Sequence, residues 1–191
     1  QQFHMAFPEG SECRDQFIKG DVSLAADRAR QVAYAAVGMR LGVAVERLSV
    51  ADEDRQCVLF DPSTVSDFPS GSADQMAVAF VQDASGDALW FTWRGGSWPR
   101  NRQYLGKVSL SGTRVLRETF TWEALTDPTE LDTDYSRCGQ PPAGPERGRG
   151  RLVATASGAV YHAYTNLFDD EQAPAEVRRR TYVERLTSPS F

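Results

Sequence analysis

Two periodicities divide the chain. From Asp21 to Val37, the apolar residues Val22, Ala25, Ala26, Ala29, Val32, Ala33, Ala36 and Val37 recur at i, i+3, i+4 and i+7. Asp27, Arg28, Arg30 and Gln31 occupy the opposite face. That spacing predicts one main amphipathic helix. Asp21 is placed to cap its first turn, and Gly38 to take the left-handed position that ends it. Alanine dominates the stripe, so this helix is expected to lie close against a sheet.

Beyond Gly42 the period changes. Val58-Leu59-Phe60 reads as a short strand closed by Asp61-Pro62. Residues 76–82 and 88–93 form the best hairpin, joined by Asp83-Ala84-Ser85-Gly86-Asp87. A second runs over 104–110 and 114–122, turning at Ser111-Gly112. A third runs over 151–156 and 159–165, turning at Ser157-Gly158. Glycine-marked hairpins after one helix predict an α+β fold, with the N-terminal helix packed on a meandering antiparallel sheet. Residues 178–186 suit either a last strand or a short helix. Residues 139–150 hold seven Gly or Pro in twelve positions and read as a long mobile loop. Strand-like sequence resumes beyond that loop, so residues 1–191 are read as one domain.

The densest recognition chemistry lies between Trp90 and Arg102, which holds three of the four tryptophans. Leu89, Phe91 and Trp93 share one strand face and make the more apolar set, against Trp90, Thr92 and Arg94. Trp93 is therefore expected in the core and Trp90 on the outer face, beside Arg94. Gly95-Gly96 followed by Ser97-Trp98-Pro99-Arg100 predicts a loop that leaves the sheet. Tryptophan and arginine bring large contact area and bidentate, always-charged donors. Arg94, Trp98, Arg100 and Arg102 are thus the candidate ligand-binding residues, with a protein or glycan as partner.

Composition narrows the picture. Hydrophobic content of 41% and charged content of 25% are ordinary for a globular domain. No apolar run is long enough to span a bilayer. A net charge of −5 argues against nucleic acid as the partner. All 21 basic residues are arginine except Lys19 and Lys107. We read this as a GC-rich coding sequence, which lowers the information in any single arginine.

Cys13, Cys57 and Cys138 fall in no metal-ligand spacing, and neither a metal nor a cofactor is expected. A cytosolic chain would carry them as buried thiols. Gln1-Gln2 suits the end left by a signal peptidase, unless His4-Met5 marks a cloning scar. On the first reading the protein is secreted, with one disulfide and one free thiol. No nucleophile-elbow, zinc-protease, P-loop or dinucleotide motif is present. His162 is the one histidine outside the N-terminal segment, on a strand-like stretch, and is the sole candidate acid–base residue.

Cys13 with Phe17, Val22, Ala25, Ala26 and Ala29, then Phe68-Pro69-Ser70-Gly71 and the segment from Ser72 to Trp93, resemble the guanyl-specific microbial ribonuclease family over about half the chain. The resemblance implies a helix ahead of an antiparallel sheet. That family's chemistry uses a glutamate, an arginine and a histidine. Gln75 stands at the expected arginine position and Thr92 or Trp93 at the histidine, so the catalytic set is not matched. What the resemblance implies is a ribonuclease-like scaffold reused for binding, as in secreted fungal effectors. The expected function is that of a secreted, non-catalytic, host-directed binding protein. The alternative is a small secreted hydrolase that uses His162 as acid and base.

Overall fold

The computed structural model describes residues 7, 11–14, 18–49, 55–69, 71, 73–95, 102–125, 146–147, 150–167 and 179–186. Over the span expected to be helical, the chain is a β-hairpin. Strands β1 (Ile18–Asp27) and β2 (Val32–Met39) pair antiparallel, from Val22↔Val37 to Asp27↔Val32. The turn between them is fixed by Asp27, whose Oδ1 accepts hydrogen bonds from the backbone N–H groups of Ala29 and Arg30. Gln31 then takes φ 56°, which no continuing helix allows. The helical spacing misled because β2 is buried on both faces, and a doubly buried strand loses its alternation. The α+β expectation is corrected to an all-β fold. Among the described residues the helical content is a single 3-10 turn, Arg117–Thr119.

Three antiparallel sheets follow. The first orders β1, β2, β3 (Val43–Ser49) and β4 (Gln56–Phe60) as a meander. In the second, β5 (Asp74–Asp83), β6 (Gly86–Gly95) and β7 (Arg102–Ser111) run in sequence. There β7 also pairs with β8 (Arg114–Val115) and β9 (Thr121–Ala124). The third is built on β12 (Val160–Leu167), which pairs with β10 (Glu146–Arg147), β11 (Arg151–Ala154) and β13 (Arg179–Leu186). The first and third expected hairpins are present, while the 3-10 turn splits the returning arm of the second. Glu146 and Arg147, inside the stretch read as a loop, pair with Asn166 and Leu167. Residues 139–145 and 148–149 of that stretch lie outside the described residues.

The main core lies between the first two sheets. Tyr34, Val45 and Phe60 from one meet Leu89, Phe91, Trp93 and Tyr104 from the other. Phe120 stacks on Phe60 at 4.3 Å between ring centroids and on Phe91 at 5.7 Å. Gly106 permits that approach, since a Cβ there would lie 2.8 Å from the Phe91 ring and 2.9 Å from that of Phe120. Tyr34 donates its hydroxyl to Thr113 O at 3.1 Å, and burial pushes its phenol up to about 12. Side chains tie the two sheets together at their edges. Ser23 Oγ on β1 accepts the Val78 N–H of β5 at 3.1 Å, and Gln56 on β4 bonds the backbone of Val115 on β8.

Parts of the outer faces of the first two sheets are also covered. Cys13, disulfide-bonded to Cys57, packs with Ala35, Val37, Met39, Ala44 and Leu59 over the first sheet. The third sheet covers the second, where Val160 and Leu186 meet Val81, Trp90 and Leu105. Trp93 is inside the main core, as its strand face suggested. Trp90 lies on the opposite face, yet it is only 4% exposed, because a third layer that the strand pattern did not announce covers it.

Glu46, on the outer face of β3 opposite Cys57, is fully buried and pairs with Arg55 at 2.9 Å. Burial raises its carboxyl above the usual 4.5, and Arg55 opposes that rise without cancelling it. The folded state therefore holds this proton more tightly than the unfolded chain does. The sign follows: Glu46 costs nothing well below pH 4.5, and its cost grows as pH rises through the raised value. Glu46→Gln is expected to gain stability over wild type between pH 4.5 and pH 8, read from urea midpoints. A difference that stays constant with pH would rule out this account.

Candidate functional site

The outer face of the second sheet changes character toward its Arg94 end. Near the β5–β6 turn it is apolar, with Val81 and Ala88, and Leu105 carries the apolar surface as far as the position opposite Thr92. Two positions further along β6 from Trp90 comes Thr92, then Arg94, which stands directly opposite Gln103 of β7. Register neighbours of this kind sit about 5 Å apart, so Thr92, Arg94 and Gln103 make one patch. Beside it, β5 carries a bulge in which Gln75 and Met76 together span the place opposite Trp93. Gln75 sits there in the left-handed region, at φ 52°. For a non-glycine residue that conformation costs about 1–3 kcal/mol and clusters at binding sites.

The patch is short of hydrogen bonds. Thr92 Oγ1, both side-chain polar atoms of Gln103, Trp90 Nε1 and Gln75 Oε1 are buried and find no partner among the described residues. A buried polar atom left unsatisfied costs about 1–3 kcal/mol, and a native fold carries few of them. Thr92 and Gln103 are themselves buried, so the half-buried Arg94 is the part of this group that a partner can reach. Lys107 lies over the Trp90 ring at 5.4 Å, adding a cation–π contact at the patch's inner border.

Of the residues chosen from sequence, Arg94 belongs to this patch. Arg102 is the first residue of β7 and pairs with Gly95, one step beyond the Arg94–Gln103 pair. Trp98 and Arg100 lie outside the described residues. Thr92, Gln103 and Gln75 were missed as site residues. Thr92 and Gln103 share the strand faces of Trp90 and Leu105, and their burial is readable only in the folded structure.

His162 is elsewhere in character. It is fully buried on β12, opposite Leu152 and Glu184, and its Nδ1 lies 3.1 Å from Glu184 Oε1. Gly150 packs directly against Nε2, where a Cβ would collide with the ring. A histidine–carboxylate pair has the parts of an acid–base couple, but general acid–base work needs a substrate within hydrogen-bond reach. This ring is enclosed by backbone and carboxylate instead. Among the described residues no group of three His, Cys, Asp or Glu is placed to hold a metal ion. Nor is any helix there long and apolar enough to cross a membrane.

No protein-family model matches the chain, and no curated protein matches it. The likeness to guanyl-specific ribonucleases thus rests on the sequence segments alone, and the helix it implied over residues 21–37 is the β1–β2 hairpin.

Proposed function

We propose that this protein binds rather than catalyses, and that it engages a protein or glycan partner at the Arg94 end of the second sheet. The observation that carries this reading is Arg94, half-buried beside Thr92 Oγ1, Gln103, Trp90 Nε1 and Gln75 Oε1, which find no hydrogen-bond partner among the described residues. Amide, hydroxyl and guanidinium groups together match the hydroxyls of a sugar or the backbone of a partner loop. Arg102 begins β7 one position before Gln103, while Trp98 and Arg100 lie outside the described residues. The Cys13–Cys57 disulfide supports a secreted location, because such bonds persist in oxidising compartments.

Screening against a glycan array and a panel of extracellular proteins tests the reading. Arg94→Ala and Trp98→Ala are each expected to weaken the resulting complex by about 2 kcal/mol or more, as hot-spot truncations do. Their urea midpoints should stay close to wild type. The competing reading is hydrolysis through His162. RNA cleavage by the wild-type protein that disappears in His162→Ala, with the fold retained, would replace binding by catalysis.

A further inference from the structure

The first two sheets meet along a seam between β4 and β8 that no backbone ladder closes. Side chains stand in for the missing strand. Gln56 Nε2 donates to Val115 O at 3.1 Å, and Val115 N donates to Gln56 Oε1 at 2.9 Å, the pair of bonds that a neighbouring strand would make. Three residues along β4, Leu59 N donates to Glu12 Oε1 at 3.3 Å, and Thr64 Oγ1 donates to Leu59 O at 3.0 Å. The edge groups of Leu59 therefore point away from β3, and strand alternation aims those of Cys57 the same way. Between the two edges lies a cleft of about 720 Å³, lined by Gln56, Cys57, Arg114, Val115, Arg117 and Phe120 among others.

Glu12 is the occupant that reveals the chemistry. Its carboxylate bridges the Leu59 N–H and the Arg117 guanidinium, and it is delivered there by its neighbour Cys13, disulfide-bonded to Cys57 of β4. Arg117 Nε is buried with no hydrogen-bond partner among the described residues, so Glu12 leaves part of the guanidinium fork unused there. A bidentate carboxylate would use it more fully. This cleft lies at the opposite end of β7 from Arg94, about 30 Å away along a ten-residue strand.

We propose that the β4–β8 seam accepts an extended, acidic peptide segment of a partner protein by strand addition. The incoming carboxylate takes the place of Glu12 between Leu59 N–H and Arg117. The incoming backbone pairs with the β4 edge at Cys57, since Leu59 N–H receives the carboxylate and Leu59 O already accepts from Thr64 Oγ1. Glu12 acts as an internal competitor, present at the high effective concentration that its disulfide-anchored neighbour imposes.

The test uses the fluorescein-labelled peptide acetyl-Thr-Val-Glu-Val-Thr-amide, its Glu-to-Gln counterpart, and a version N-methylated at alternate backbone nitrogens, read by fluorescence anisotropy. The acidic peptide is expected to bind the wild-type protein weakly and to bind Glu12→Ala about tenfold more tightly, since the internal competitor is gone. Arg117→Ala, and the glutamine peptide on the unaltered protein, should each lose about tenfold or more. Saturating acidic peptide should slow hydrogen exchange at the Cys57 amide, a readout that does not depend on any variant folding. Equal binding of the N-methylated peptide would overturn the proposal in favour of a simple anion site. Absence of binding to both wild type and Glu12→Ala at about 1 mM peptide, the scale of effective concentration to be overcome, would overturn it outright.

Discussion

Trp93→Ala is expected to destabilise the fold by about 3–5 kcal/mol, the range for truncating a large buried aromatic. Trp93 is 1% exposed and sits at the centre of the aromatic cluster. Its ring is parallel to Phe68 at 5.6 Å and stacks with Tyr104 at 5.2 Å, with Phe91 at 5.8 Å. These partners come from different parts of the chain, so none can close the gap without breaking another contact. Trp90→Ala should cost less, although Trp90 is nearly as buried. Its Nε1 is buried without a partner, and removing an unsatisfied donor recovers part of the loss. For the same reason Trp90→Phe should be close to neutral. Urea midpoints of the three variants decide the matter, and a larger loss for Trp90→Ala than for Trp93→Ala would place the structural centre on the wrong side of β6.

Removing the disulfide by Cys13→Ser with Cys57→Ser is expected to cost about 4 kcal/mol. The bond closes a loop of sequence separation 44, and the loop-closure entropy released to the unfolded chain has about that value. Packing adds to it, because Cys13 is fully buried against Ala35, Val37, Met39 and Leu59. Loss of that anchor uncovers the outer face of the first sheet. Urea unfolding of the double variant, and of the wild type before and after reduction, measures the effect. Equal midpoints in all three would show that the N-terminal segment covers the sheet without the bond.

Much of the strand content was legible in the sequence, for a physical reason. Hairpins with a glycine-marked turn between two strand-like runs, such as β5–β6 and β11–β12, write their turns directly into the residue order. The face assignment within β6 was readable too, since Leu89, Phe91 and Trp93 enter the main core together. The β1–β2 hairpin was not readable. Its alanines satisfy both a helical and a double-sided strand pattern, and the deciding residue, Asp27, acts through bonds to Ala29 and Arg30 that periodicity does not weigh.

The candidate site divides along the same line. Arg94 stood out as a charged residue in a tryptophan-rich strand. Thr92 was placed on the outer strand face, and only the structure shows that it and Gln103 are buried, with no hydrogen-bond partner for Thr92 Oγ1 or the Gln103 amide among the described residues. His162 moved the other way, from candidate catalyst to an enclosed ring between Gly150 and Glu184. By itself the sequence determined where the hairpins from β5 onward turn and which side of β6 is the more apolar, because those properties depend on neighbours within a few residues. Only the tertiary structure decided which faces are covered, which cysteines meet and which polar groups lack partners. Burial and pairing are set by segments far apart in the chain, and no local pattern records them.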